Sequence, residues 1–172
     1  LPGQIQVTDP EHWLAGGFAA GQGGILQDDA RGDRRRYLDQ RQLHALVLQQ
    51  HGIAAQVLTA QDVAAAKQGR HANAPAWACF GGLSHGEVVD AEGRKLVGLA
   101  QRRRRNGVLL VAGTLVSKVP WALLCTALGH PQDAALLAGC TVSMEELLGH
   151  PCASATVLAQ LDQQLRSALQ AA

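Results

Sequence analysis

Lysine is scarce in this chain. Twelve of the 15 basic residues are arginine, and only Lys67, Lys95 and Lys118 are lysine. Aromatic residues make up 3% and methionine occurs once, so a core has to be built from Leu, Val and Ala. Net charge is nearly absent too: 15 basic against 14 acidic residues leave +1. That balance excludes a chain-wide attraction for polyanions or polycations and leaves only local patches. Four cysteines stand at 79, 125, 140 and 152 without a C-x-x-C pair or the Cys/His spacing of a zinc site, so no bound metal is expected. There is no charged n-region followed by an apolar h-region and no apolar run of about 18 residues. No membrane partner is expected, and a cytoplasmic protein with reduced thiols is the default. The glycines of "GGFAAGQGG" (16–24) match neither G-x-G-x-x-G nor a P-loop, and no G-K-[ST] follows. They read as a surface loop.

What is present suits a single domain over 1–172: 172 residues, 47% of them hydrophobic. "LPGQIQV" (1–7) reads as a short strand. Asp33 is placed to cap a helix running to about Gln50 and stopped by Gly52. "IAAQVL" (53–58) reads as a strand, and 59–68 as a helix capped by Thr59. "AWACF" (76–80) reads as a short buried strand. "GEVVD", a turn and "RKLVGLAQRR" form a hairpin, and "NGVLLVAGTLV" continues it after an Asn-Gly turn. Helices follow: 120–129 between Pro and Gly, 131–139, and "SMEELLG" with the Ser143/Glu146 capping box. An amphipathic docking helix within 150–172 completes the chain, with Val157, Leu158, Leu161, Leu165 and Leu169 on one face. The order predicts an α/β (mixed α+β) fold, a central mixed β-sheet flanked by helices.

The chemistry concentrates in "GRKLVGLAQRRRR" (93–105). In a regular strand Lys95, Val97, Leu99 and Gln101 share one face, and Leu96, Gly98 and Ala100 the other. Two readings of Lys95 stand. It snorkels out at the strand end, or it points at an anion in a cleft. The arginines 102–105 read as a solvated turn or as a patch for an acidic partner. Aromatic interleaving is missing, so nucleic acid is not an expected partner.

Residues 78–116 resemble the lysine-motif region of the lipoate–protein ligase A and octanoyltransferase family, which shares its fold with biotin ligases. Glu87, Val88 and Val89 match the acidic residue and aliphatic pair that precede the motif turn. Gly93, Arg94, Lys95, Leu96, Gly98, Ala100, Gln101 and Arg102 match G-[RK]-K-[IVL]-x-G-x-[AS]-Q-R, and "VAGTLV" (111–116) follows. "CTVSMEELLG" (140–149) is similar to a later family stretch. The resemblance implies a biotin/lipoate ligase fold, related to class II aminoacyl-tRNA synthetases.

It also implies acyl transfer. Lipoate (or octanoate) and ATP with Mg would give an acyl-adenylate, and the acyl group would pass to a lysine on a lipoyl carrier domain. Such carriers are the E2 subunits of 2-oxoacid dehydrogenases and the glycine-cleavage H protein. Lys95 would sit against the acyl carbonyl and α-phosphate and stabilise the oxyanion. Gly93, Gly98, Ala100, Gln101 and Arg102 would bind substrate, with Gly98 and Ala100 lining an acyl tunnel. Lys95→Ala is expected to abolish transfer and leave the fold intact.

Related cysteine octanoyltransferases carry a nucleophile in an "xCF" segment, and Cys79 stands in "ACF", 95 − 79 = 16 positions before Lys95. Cys79 is thus either a thioester nucleophile fed by acyl carrier protein or a buried packing residue. Cys125, Cys140 and Cys152 read as packing residues. A third reading is a degenerate member that binds a partner without catalysis. The family's R-R-x-[ST]-G-G-G-A-V stretch is not found in these residues, and the expectation is that it belongs upstream of Leu1.

Overall fold

A computed structural model describes residues 18–20, 24–26, 35–66, 69, 71–104 and 107–170. The strand read at 1–7, the cap at Asp33 and the Asn106 turn lie outside the described residues. The elements are β1 (Phe18–Ala20), β2 (Gly24–Leu26), α1 (Arg35–Gln50), β3 (Ala55–Val57) and α2 (Ala60–Ala66), then β4 (Val88–Asp90), β5 (Lys95–Arg104) and β6 (Gly107–Leu115). After these come α3 (Trp121–Ala127), a 3-10 turn (Pro131–Asp133), α4 (Ala134–Cys140), α5 (Met144–Leu148) and α6 (Ser154–Gln170). The fold is α/β, as expected.

The strand order is β1-β6-β5-β4-β3, with β2 also paired to β6. The strand pairs are antiparallel. One isolated parallel bridge joins Lys95 to Thr141, and the Val142 amide donates to the Lys95 carbonyl at 3.1 Å. Two strands, β1 and the start of β2, fall within the stretch read as a glycine loop. Three predicted helix stops are left-handed glycines that an L side chain would strain: Gly52, Gly129 and Gly149, with φ of 78°, 79° and 71°. The Ser143/Glu146 capping box forms as expected. Thr59 caps α2 through its hydroxyl, which accepts from the Asp62 amide at 3.2 Å.

The predicted strand at 76–80 is absent. Trp77 and Cys79 are exposed, and the backbone closes three-residue turns instead. The Ala78 amide donates to the Pro75 carbonyl at 3.1 Å and the Gly81 amide to the Ala78 carbonyl at 2.8 Å. Apolar composition alone suggested a strand, but with those bonds made internally there is nothing left for a ladder.

A bulge decides how β5 presents its side chains. Val88 pairs with Val97, but Val89 pairs with Lys95, so Leu96 is the extra residue. Leu96 and Val97 both join the core cluster that holds Val47, Leu48, Leu115, Met144 and Val157. The alternation expected from a regular strand is therefore shifted by one. Lys95 lies on the same side as Gly98, not opposite it: a Cβ at Gly98 would stand 3.3 Å from Lys95 Cε. α1 and α6 cover the other side, tied together by His51 Nε2 and Gln160 Oε1 at 2.7 Å.

Candidate active site

Among the described residues Lys95 is the largest side chain buried to the last two percent, at 1% exposure. A lone ammonium in such a place is held only if it is paired and its donors are met. The hairpin supplies the ion partner. Glu87, one residue before β4, lies beyond the Val88–Val97 pair, and its Oε1 reaches back to 2.7 Å from Lys95 Nζ. The ammonium also donates to the Cys79 carbonyl at 2.7 Å and the Gly82 carbonyl at 3.0 Å. All three N–H donors of Lys95 are thereby used. The Phe80 ring adds a cation–π contact at 5.1 Å from its centroid. The snorkelling reading is overturned: the strand's bulge and the loop above it turn the chain inward.

The loop is a strap laid over the sheet. Glu87 anchors its far end, its Oε2 accepting from the Ser84 amide at 2.8 Å. Trp77 fixes the outer side, donating to Asp133 Oδ2 at 2.7 Å and stacking on His130 at 4.6 Å between centroids. Ala78 packs with Cys125, Leu137 and Cys140 of α3 and α4. His71 joins the strap to the β4–β5 turn, with Nδ1 2.8 Å from the Gly81 carbonyl oxygen and Nε2 2.9 Å from that of Gly93.

Of the residues singled out in the sequence, the fold gathers Cys79, Lys95 and Gly98. Cys79 takes part through its peptide carbonyl, and its residue is exposed. The packing alternative for Cys79 therefore fails. It holds for Cys125 and Cys140, which are buried, while Cys152 is half-buried; burial pushes both the Cys125 and Cys152 thiols up. Gly98 does not line an open tunnel. The Phe80 ring fills the space above it, 3.3 Å from where a Cβ would stand, and reaches its paired residue Gly113 at 3.6 Å. Ala100 is exposed further along β5. Gln101 and Arg102 pair with Leu110 and Leu109, well beyond the cluster. Gly93 sits in the turn with φ of 76°. That turn is organised by Asp90, which accepts from the Arg94 amide at 2.7 Å and pairs with the Arg94 guanidinium at 2.7 Å.

Sequence reasoning quoted Glu87 but missed that it is the counter-ion. The signal was there: a lysine entering a buried strand needs a carboxylate on the neighbouring one. Phe80, Trp77 and His71 carried no such signal. A small cavity of about 40 Å³, between Trp121, Thr141 and Glu146, does not touch Lys95. It has room for a few water molecules and not for an acyl chain or a nucleotide.

Comparison with solved structures finds a match in the crystal structure of a lipoate-protein ligase A bound with ATP. The TM-score is 0.56 and the identity 14%, over 87% of this chain and 51% of that one. The fold is similar to that of lipoate–protein ligase A. The chain spans about half the length of that ligase. No family model and no curated protein matches. Among the described residues no helix is long and apolar enough to cross a membrane, and no three His, Cys, Asp or Glu gather as a metal cluster.

Proposed function

We propose that the chain is an acyltransferase of the lipoate–protein ligase type, passing a lipoyl or octanoyl group to a lysine of a lipoyl carrier domain. The observation that carries this reading is Lys95: a buried ammonium whose donors converge on oxygens, on a strand with the G-R-K-L-x-G-x-A-Q-R pattern, in a fold similar to that of lipoate–protein ligase A. The carrier amine attacks the acyl carbonyl of an acyl-adenylate. The new N–C bond forms, the bond from carbon to the phosphate oxygen breaks, and AMP leaves. Lys95 stabilises the oxyanion in between, where a compact cation in a water-poor site has most effect. Of the groups that a nucleotide needs, Lys95 fits an α-phosphate oxygen. Glu87 and Asp90 are already held by Lys95 and Arg94, so magnesium is assigned to no residue here.

The test uses the chain with ATP, magnesium, lipoate or octanoate, and a lipoyl domain, read as the mass shift of the carrier. The paired variant Lys95→Met/Glu87→Gln, which removes both charges together, is expected to lose roughly 100-fold or more in rate. A rate within a few-fold of the parent would overturn the role given to Lys95. A carrier left unmodified by the parent chain, with no thermal stabilisation by lipoate, octanoate or lipoyl-AMP, would favour the non-catalytic alternative.

The second reading, a thioester on Cys79 loaded from acyl carrier protein, is favoured by two facts: Cys79 is exposed, and its own carbonyl accepts from the Lys95 ammonium. Loss of all transfer in Cys79→Ser supports it, and retained ATP-dependent transfer excludes it.

A further inference from the structure

β5 is longer than the strand that lies on its second side. β6 pairs with it without a break from Val97 to Arg104, but β4 pairs with it only at Lys95 and Val97. Among the described residues no strand pairs with that second side beyond Val97. Along an antiparallel strand one residue turns both its N–H and its C=O to the partner, and the next turns both away. The Leu99 amide fixes the phase. It donates to Glu87 Oε1 at 3.4 Å, on the β4 side, so Leu99 faces away from β6. Gln101 and Arg103 follow in the same phase, while Gly98, Ala100, Arg102 and Arg104 turn to β6. An open sheet edge therefore runs from the Leu99 carbonyl to Arg103. Such an edge is a template for another extended chain.

The residues along the edge select the chain. Arg102, Arg103 and Arg104 are the last three positions of β5, and Arg105 follows in the sequence, in a chain whose net charge is +1. A second copy would add its own arginines to the same ladder, where like charges facing one another are destabilising. Charged residues on an edge also discourage unselective apolar pairing. Basic and apolar strands are thus disfavoured, and acidic ones are drawn in. We propose that residues 99–104 form a strand-addition site for an extended acidic segment of a partner protein. Backbone bonds at Gln101 and Arg103 supply the docking, and the arginine run supplies the selectivity. The site goes beyond the acyl-transfer reading and makes no use of the Lys95 ammonium.

The probe is a dye-labelled, end-capped peptide of Val-Glu repeats, about eight residues long, enough to span the edge. One control replaces its valines by proline and keeps the charge; another replaces its glutamates by lysine. Fluorescence anisotropy with the intact chain is expected to show the Val-Glu peptide binding roughly tenfold or more tightly than either control, and weakening with added salt. Amide proton exchange followed by NMR should slow at Gln101 and Arg103 and stay unchanged at Gly98, Ala100 and Arg102. Gln101→Pro deletes an outward N–H that the β6 ladder does not use, which is where a strand tolerates proline. It should weaken binding roughly tenfold. Arg102→Glu/Arg104→Glu should reverse the preference toward the lysine peptide. Equal binding of the proline control would mean charge alone and overturn strand addition. So would no binding of the Val-Glu peptide below about 1 mM, or unslowed exchange at Gln101 and Arg103. Sedimentation showing the parent chain paired with itself, with those two amides protected before peptide is added, would give the edge to a second copy and overturn the acidic partner. If Gln101→Pro does not fold, the peptide ranking and the parent's amide exchange still decide.

Discussion

The two sides of the sheet bury opposite chemistry. Under α1 and α6 lie Val47, Leu48, Leu96, Val97 and Val157, with one polar contact of interest, His44 Nδ1 to the Thr114 hydroxyl at 3.1 Å. Under the strap lie Lys95, Glu87 and His71, with Asp90 beside them in the turn, all at 7% exposure or less. Both sides exclude water, yet only one needs every charge answered. The helical side tolerates loss of volume by degrees. The strap side fails as a unit, because removing one charge strands another.

The sharpest break of that contrast is Lys95→Ala or Lys95→Met, which leaves Glu87 buried without a counter-ion. A loss of about 3–5 kcal/mol is expected in urea unfolding, against about 1 kcal/mol or less when Glu87→Leu is combined with Lys95→Met. The sequence had suggested that Lys95→Ala spares the fold; a residue so deeply paired cannot be removed that cheaply. Equal losses in the single and the double variant would show that the pair is not coupled. Next in size is Leu48→Ala on the helical side, expected to cost about 3 kcal/mol through the cavity it leaves, with no change in the coupling measured between Lys95→Met and Glu87→Leu. A changed coupling would mean that the two sides are not separable.

The smallest effect over the working pH range comes from His44. Burial lowers its pKa from 6.5 to about 4. The unfolded chain therefore takes up a proton first as pH falls. Stability is full above about pH 6.5 and declines between there and pH 4, by about 3 kcal/mol at the acid limit. His44→Leu should remove that part of the slope; unfolding curves at several pH values that keep the slope would exclude His44 as its source.

The sequence made the outer frame readable and hid the inner one. Gly52, Gly129 and Gly149 marked helix ends because the positive φ they adopt strains other residues. Ser143 and Glu146 marked a start because their side chains answer amides three positions apart. These are local bonds. The bulge at Leu96 is not local: it appears only when β4 fixes the register, and it moved Gly98 to the side of Lys95. The strap was misread for a related reason. "AWACF" is apolar enough for a strand, but its environment is set by Lys95, Asp133 and α3, all distant in sequence. His71 had no periodic neighbour to single it out, and its role comes from two carbonyls 10 and 22 positions away.

Leu96 and Val97 are both fully buried, one directly after the other, and the Lys95 carbonyl is tied to Val142. The polypeptide behind the ammonium is thus bolted down at consecutive points. On the proposed acyl-transfer reading, a donor of any length would have to align its reacting carbon to a stationary cation, and tolerance for different tails would have to come from movement of the Phe80 ring above the two facing glycines.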